Sequence, residues 1–250
     1  MRGARPLASL EDAFDVTLES GEVVLAATSG GRDSAALASL LAGTARRCGA
    51  TVVLAHVNHA TRPNAWQDEA VVLALGAALG VRATAVSLPQ GSNAEARLRD
   101  ERYAALATLA RRNGATRIFT AHHVRDQAET VLLALLRGTG PGGLAGMPAT
   151  RPLAPDVVLE RPLLRVEPER LAAYAAARHL PYAIDPGNAD PAYRRSALRS
   201  ALADLRRSFP HLDEAVARCA AIVRDERDDA PRASIRAELR AALAASAGTR

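Results

Sequence analysis

Four apolar runs rich in β-branched residues alternate with helix-forming runs before residue 136, and nothing else in the chain constrains its fold as strongly. Val23 to Thr28, Thr51 to Val57, Val81 to Leu88 and Arg117 to Ala121 read as strands. Asp33 to Arg47, Asn64 to Gly80, Asn93 to Asn113 and Asp126 to Leu136 read as the helices that follow them. This alternation predicts an α/β fold: a doubly wound parallel sheet with helices on both faces. Ligands of such sheets bind outside the carboxyl ends of the strands, so segments 29–34, 56–63, 89–97 and 121–129 are expected to converge there.

Downstream, the glycine-rich run 138–147 is too long for a simple turn. An extended piece near Val157 to Leu164 precedes a helix from Pro168 to His179, and Arg194 to Arg207 reads as a strongly basic helix. The chain past Leu212 is helical in composition, interrupted around Pro231. A main domain over 1–210 with a C-terminal helical extension over 211–250 is the expected organisation.

Ser29-Gly30-Gly31-Arg32-Asp33-Ser34 lies where the first strand turns into the first helix. Glycines let backbone approach a ligand closely, and free N–H groups at the helix start point at negative charge. Ser29 and Ser34 add hydroxyls, and Asp33 suits a Mg²⁺ ion held between phosphates. His56 and His59, three apart after a strand, read either as metal ligands or as histidines hydrogen-bonded at a strand end. Arg97 and Arg102 share a helix and read either as phosphate-gripping cations or as a solvated face. After His122-His123, Asp126 and Glu129 are three apart and project from one helix face. Such a pair suits Mg²⁺ or a cationic amine, although an acidic first helical turn has the same pattern.

Composition narrows the chemistry. All 32 basic residues among the 250 are arginine, which excludes Gly-Lys-Ser/Thr phosphate loops and lysine Schiff-base chemistry in this chain. A net charge of +5 suits a polyanionic partner. Cys48 and Cys219 form no Cys-x-x-Cys, which argues against a zinc ribbon, a cysteine-bound cluster and a disulfide scaffold. No apolar run approaches the roughly 18 residues of a membrane span, so no membrane contact and a cytoplasmic location are expected.

The Ser-Gly-Gly-x-Asp-Ser string resembles the PP-loop of enzymes that cleave ATP between its α and β phosphates. Four further strings extend the resemblance to the tRNA(Ile)-lysidine synthetases: His56-Val57-Asn58-His59, Glu95-Ala96-Arg97 to Arg102-Tyr103, His122-His123 to Glu129-Thr130, and Arg137-Gly138 through Met147. Arg161-Pro162-Leu163-Leu164 and the string 185–190 continue it, over about residues 20 to 210. The resemblance implies a PP-loop, adenine nucleotide alpha-hydrolase-like fold, with ATP on residues 29–34 and Mg²⁺ on Asp33 through the phosphates. It implies adenylation of the 2-carbonyl of the wobble cytidine in an isoleucine tRNA with a CAU anticodon, then displacement of AMP by the ε-amine of free L-lysine. Asp33, Asp126 and Glu129 are then the candidate catalytic groups. His56, His59, Arg97, Arg102, His122, His123, Arg195 and Arg199 are candidate contacts to lysine or tRNA.

Two positions depart from the family's pattern. Arg125 stands where a first of two adjacent aspartates is usual, and Ser196 stands where Asn is usual in an Arg-Asn-x-x-Arg motif. A fixed cation in place of an acid reverses the local field, and Ser has fewer donors than Asn. Longer relatives carry C-terminal tRNA-binding domains, so either a compact form or a grip on tRNA from the core and basic tail is expected, with a homodimer as an assembly a helical tail suits. Two other readings compete. A thiolase-type PP-loop enzyme would call for paired cysteines, and a non-catalytic nucleotide- or RNA-binding module would bind without releasing pyrophosphate.

Overall fold

The computed structural model describes residues 8–58, 65–88, 95–183 and 194–227. His59, the string 185–190 and the tail after 227 lie outside the described residues, as does the side chain of Arg195. The chain forms two compact units, one from residues 1–124 and 148–190, the other from 125–147 and 191–250.

The first unit holds α1 (Ala8–Glu11), β1 (Val23–Ala27), α2 (Arg32–Cys48), β2 (Thr51–Asn58), α3 (Ala65–Leu79), β3 (Arg82–Ser87), α4 (Glu95–Arg112), β4 (Arg117–Phe119), β5 (Thr150–Ala154), β6 (Val157–Glu160) and α7 (Pro168–Ala177). Its six strands run in the order β3-β2-β1-β4-β6-β5. All neighbours are parallel except β5, which pairs antiparallel with β6 at the edge. Sequence pattern predicted the parallel strands but not β5. Pro152 within it interrupts the ladder, which only an edge strand tolerates, and the register shifts between Pro152 and Ala154.

Period-2 alternation splits each central strand between two cores. Val24 and Ala26 of β1, Val52 and Leu54 of β2 and Phe119 of β4 pack with Leu37 and Leu41 of α2, Val72 and Leu75 of α3, and Leu171 and Tyr174 of α7. Leu25, Val53 and Ile118 point the other way, against Tyr103, Leu106 and Ala110 of α4. Leu25 faces Val53 on one side and Ile118 on the other, fully buried. Its truncation to Ala should therefore cost about 2–5 kcal/mol. The chain winds from β1 outward to β3, then returns to β4 on the other side of β1. The carboxyl end of β1 therefore lies at the topological switch point, where a crevice opens.

The second unit contains α5 (Val124–Leu135) after its first residue, α6 (Pro141–Leu144), α8 (Arg194–Ser208) and a helix α9 over 212–227. The glycine-rich run is not a bare loop, since α6 lies inside it. The buried Gln127 amide donates to the Met147 carbonyl at 3.0 Å and accepts from the Met147 N–H at 2.8 Å. Arg224 of α9 donates to the same carbonyl at 2.9 Å. Gly146 sits at φ +62°, and a Cβ there would lie 2.8 Å from the Gln127 amide nitrogen, so glycine is required at this junction.

Candidate functional site

Residues 29–34 leave the end of β1 and start α2, and the loop is folded on its own hydroxyls. Ser34 Oγ donates to the Gly31 carbonyl at 2.8 Å and accepts from the Ser29 N–H at 3.2 Å. Ser29 Oγ accepts from the Gly31 N–H at 3.3 Å and lies 3.3 Å from Ser34 Oγ. The Ser34 hydroxyl proton is thus committed to shaping the loop, leaving the exposed Ser29 hydroxyl as the better donor to a ligand. Gly30 occupies φ +88°, and a Cβ on it would sit 3.2 Å from Asp68 Cβ of α3. Its carbonyl is latched by the Ala183 N–H at 2.8 Å.

Gly31 is the N-cap of α2 and makes no side-chain cap hydrogen bond. The first N–H groups of a 17-residue helix therefore face the crevice without a capping oxygen, at the positive end of its dipole. Asp33 sits in that first turn, flanked by Arg32 Nε at 3.6 Å from Oδ1 and His123 Nε2 at 3.6 Å from Oδ2. Asp33 Oδ1 is a buried oxygen with no hydrogen-bond partner among the described residues. A buried carboxylate oxygen beside an uncapped helix start is a fitting ligand for a hard divalent cation.

Three histidines surround this end of the sheet. His56, buried at the end of β2, donates from Nδ1 to the Thr28 carbonyl at 2.9 Å and so ties β2 to the exit of β1. His122 Nδ1 lies 2.9 Å from Thr120 Oγ1. His123 is buried and faces Asp33. Arg97 lies on exposed α4 surface, paired with Glu101 at 2.8 Å, and Arg102 stands over the Tyr103 ring at 5.3 Å.

In the second unit the acidic pair is held by arginines. Glu129 is fully buried, and Arg199 Nε reaches its two oxygens at 2.9 and 3.0 Å. Arg199 also contacts Asp126 Oδ1 at 3.4 Å. Burial pulls the Arg199 guanidinium down, but the Glu129 hydrogen bond and charge outweigh it and hold it above the usual arginine range. Arg206 lies 3.7 Å from Glu129 Oε1 and binds Asp213 with Nε and Nη2, at 2.9 to 3.2 Å. Arg125 Nε reaches Asp213 Oδ2 at 3.4 Å. The cation that departs from the family's pattern thus has a carboxylate opposite it. Sequence reading singled out neither Arg206 nor Asp213. Pro210 was the available signal, because the turn it makes brings positions seven apart onto facing helix ends.

A six-stranded sheet with an uncapped Ser-Gly-Gly-x-Asp-Ser turn at its switch point defines a nucleotide-binding α/β protein of the PP-loop type. The family model described as PP-loop domain, ATP_bind_3, matches residues 7–205. The tRNA(Ile)-lysidine synthase of Ralstonia nicotianae is 44% identical over 204 residues, covering 79% of this chain and 44% of that protein. The enzyme of the same name from Salinispora tropica is 41% identical over 231 residues, covering 88% of this chain and 68% of that protein. The chain belongs to the tRNA(Ile)-lysidine synthase family of PP-loop proteins. It spans less than half the length of the Ralstonia relative and of a 42% identical one from Chromobacterium violaceum. Among solved structures, the U34-tRNA thiolase NcsA from Methanococcus maripaludis, with its [4Fe-4S] cluster, superimposes with a TM-score of 0.70. That match covers 86% of this chain and 76% of the thiolase at 16% identity, and it speaks for the fold alone.

Proposed function

We propose that this chain acts as a tRNA(Ile)-lysidine synthase. ATP and lysine are its small substrates, and an isoleucine tRNA with a CAU anticodon is its macromolecular one. The observation that carries this is the uncapped α2 start with the orphaned Asp33 Oδ1, in a chain 41–44% identical to proteins of that name.

In the first step the cytidine 2-carbonyl oxygen attacks the α-phosphorus of ATP, forming an O–P bond while the bond to the β-phosphate oxygen breaks and pyrophosphate leaves. The α2 N–H groups and the Ser29 hydroxyl bind the phosphates and take up charge developing on the leaving group. Asp33 would hold a Mg²⁺ ion, which when bound would supply further neutralisation of that charge. His123, against Asp33, orients the carboxylate. In the second step the ε-amine of lysine attacks C2, the C–O bond breaks, and AMP departs with the former carbonyl oxygen. Asp126 is the carboxylate suited to hold the incoming ammonium and, by taking its proton, free the amine to attack, because Glu129 is spent on Arg199 with both oxygens. His56 and Glu129 serve as braces in this scheme, Arg195 and Arg199 as candidate contacts to tRNA or AMP.

The test is incorporation of radiolabelled lysine into purified isoleucine tRNA, with methionine tRNA of the same anticodon as the specificity control. Label on the isoleucine tRNA only, reduced about 100-fold in Asp33→Asn, is the expected result. Absence of label with ATP binding intact would overturn the proposal in favour of a binding module.

A further inference from the structure

Tyr103, on α4 of the first unit, is ringed by arginines from three separate segments. The guanidinium carbons of Arg151, Arg102 and Arg99 lie 4.6, 5.3 and 5.7 Å from its ring centroid. A fourth, Arg161, follows β6, and its charge acts on the phenol. Exposure is graded: Arg99 is exposed, Arg102 and Arg151 are half-buried, and Arg161 is 2% exposed. Arg161 Nη1 donates to the Pro148 carbonyl at 2.8 Å, yet its Nε and that of Arg151 are buried with no hydrogen-bond partner among the described residues. Among the described residues no carboxylate forms an ion pair with any of the four, whereas Arg97 and Arg111 on the same helix have Glu101 and Asp156.

Buried charge without a counter-ion is unfavourable, and cation–π contact with one ring does not neutralise four cations. From the four arginines around Tyr103 we infer a seat for a phosphate group, entered past Arg99 and closed at the bottom by Arg161. Guanidinium forks match phosphate oxygens geometrically, and two buried N–H groups already await an acceptor. The ring itself is 5% exposed, so it is a platform for the arginines and not a surface on which a base can stack. The electrostatics agree. Burial raises the Tyr103 phenol, but Arg102, Arg161 and Arg99 outweigh it and hold it below the usual tyrosine range. Burial, opposed by Tyr103 and reinforced by Arg151 and Arg99, holds Arg161 below the usual arginine range.

Two sources carry the phosphate: the backbone of a bound RNA, or a small phosphate such as pyrophosphate. The seat does not depend on lysine being the co-substrate, so its test uses binding alone. Arg99→Gln, at the exposed rim, and Arg151→Gln are compared with the parent chain for affinity to an isoleucine tRNA anticodon stem-loop across salt concentrations. The same proteins are titrated with pyrophosphate while Tyr103 ionisation is followed by ultraviolet absorbance, with Tyr103→Phe as the assignment control. An RNA source predicts about 10-fold weaker stem-loop binding in each variant, with a log–log salt slope shallower by about 0.7 to 1. A small-phosphate source predicts unchanged RNA binding, but a pyrophosphate-induced upward shift of Tyr103 ionisation that both variants lose. If both responses are absent the inference is overturned, and unaltered RNA binding by the folded Arg99→Gln protein excludes the RNA source whatever Arg151→Gln does to stability.

Discussion

Replacing Asp213 with Asn keeps the volume of the side chain and removes one negative charge from the second unit. Three hydrogen bonds from Arg206, at 2.9, 3.0 and 3.2 Å, then lose their ionic acceptor, and Arg125 at 3.4 Å loses its counter-charge. Breaking a buried pair by removing one partner costs about 3–5 kcal/mol. Here the side chains of Arg206 and Asp213 are 17% and 11% exposed, and Glu129 remains 3.7 Å from Arg206. Both facts pull the expected cost down, to about 2–3 kcal/mol. The single tryptophan, Trp66, lies in the first unit and is blind to this change, so the readout is amide hydrogen exchange in peptides covering α5, α8 and α9. A double-mutant cycle divides the effect. Arg206 and Asp213 should couple by about 2 kcal/mol, against about 0.5 kcal/mol for the longer and more exposed Arg125–Asp213 contact. Loss of less than about 1 kcal/mol of protection in Asp213→Asn refutes this reasoning, since even a charged hydrogen bond at the surface of this network should exceed it. Coupling of Arg125 as strong as that of Arg206 would refute the ranking.

Gly30→Ala places a Cβ at φ +88° and 3.2 Å from Asp68 Cβ, so ATP binding measured by calorimetry should weaken at least about 10-fold, from a backbone cost of about 1–2 kcal/mol plus the contact. An unchanged affinity would mean the loop rearranges on binding. His56→Ala strips the Thr28 carbonyl of its 2.9 Å donor and should cost about 1–3 kcal/mol, read as a lower Tm without loss of the sheet's circular dichroism. Tyr103 should ionise at lower pH than the other tyrosines and Tyr174, raised chiefly by burial, at higher pH. The folded-state value of Tyr103 lies below its unfolded one, so its contribution to stability is full above the unfolded pKa and is lost as pH falls through the folded one. Parent-minus-Tyr103→Phe stability should therefore rise with pH across that alkaline window, and a flat difference contradicts the arginine ring.

Alternation made the parallel strands and their helices legible from residues alone, because each strand is buried on both faces and reads as a short continuous apolar run. Val23 to Thr28 and Thr51 to Val57 overlap β1 and β2 within a residue at each end. β5 escaped because its sequence, Thr-Arg-Pro-Leu-Ala, carries a proline and little apolar content, and an edge strand needs only one paired side. The Pro155-Asp156 turn before β6 was the hairpin signal that went unused. Its Asp156 accepts Arg111 at 2.7 Å, which holds Asp156 below the usual carboxylate range and anchors the hairpin to α4.

The loop at 29–34 could be read because its chemistry is local: five consecutive peptide units and one helix start make the anion site. Charge compensation is not local, and there the sequence misleads. Arg125 in place of an acid reads as a reversed field when only its neighbours Asp126 and Glu129 are counted. The structure adds Arg199 and Arg206 from α8 and Asp213 from α9, so three carboxylates and three guanidiniums interleave, and Arg125 is one member of a balanced set. Around Tyr103 the balance is the opposite, with four guanidiniums and no paired carboxylate among the described residues. Two arginine-rich clusters in one chain therefore differ in kind. The network of the second unit is neutralised from within and braces Glu129, so an added anion should leave its hydrogen exchange unchanged. The ring around Tyr103 is left positive, so of these two arginine clusters it is the one whose behaviour phosphate should change.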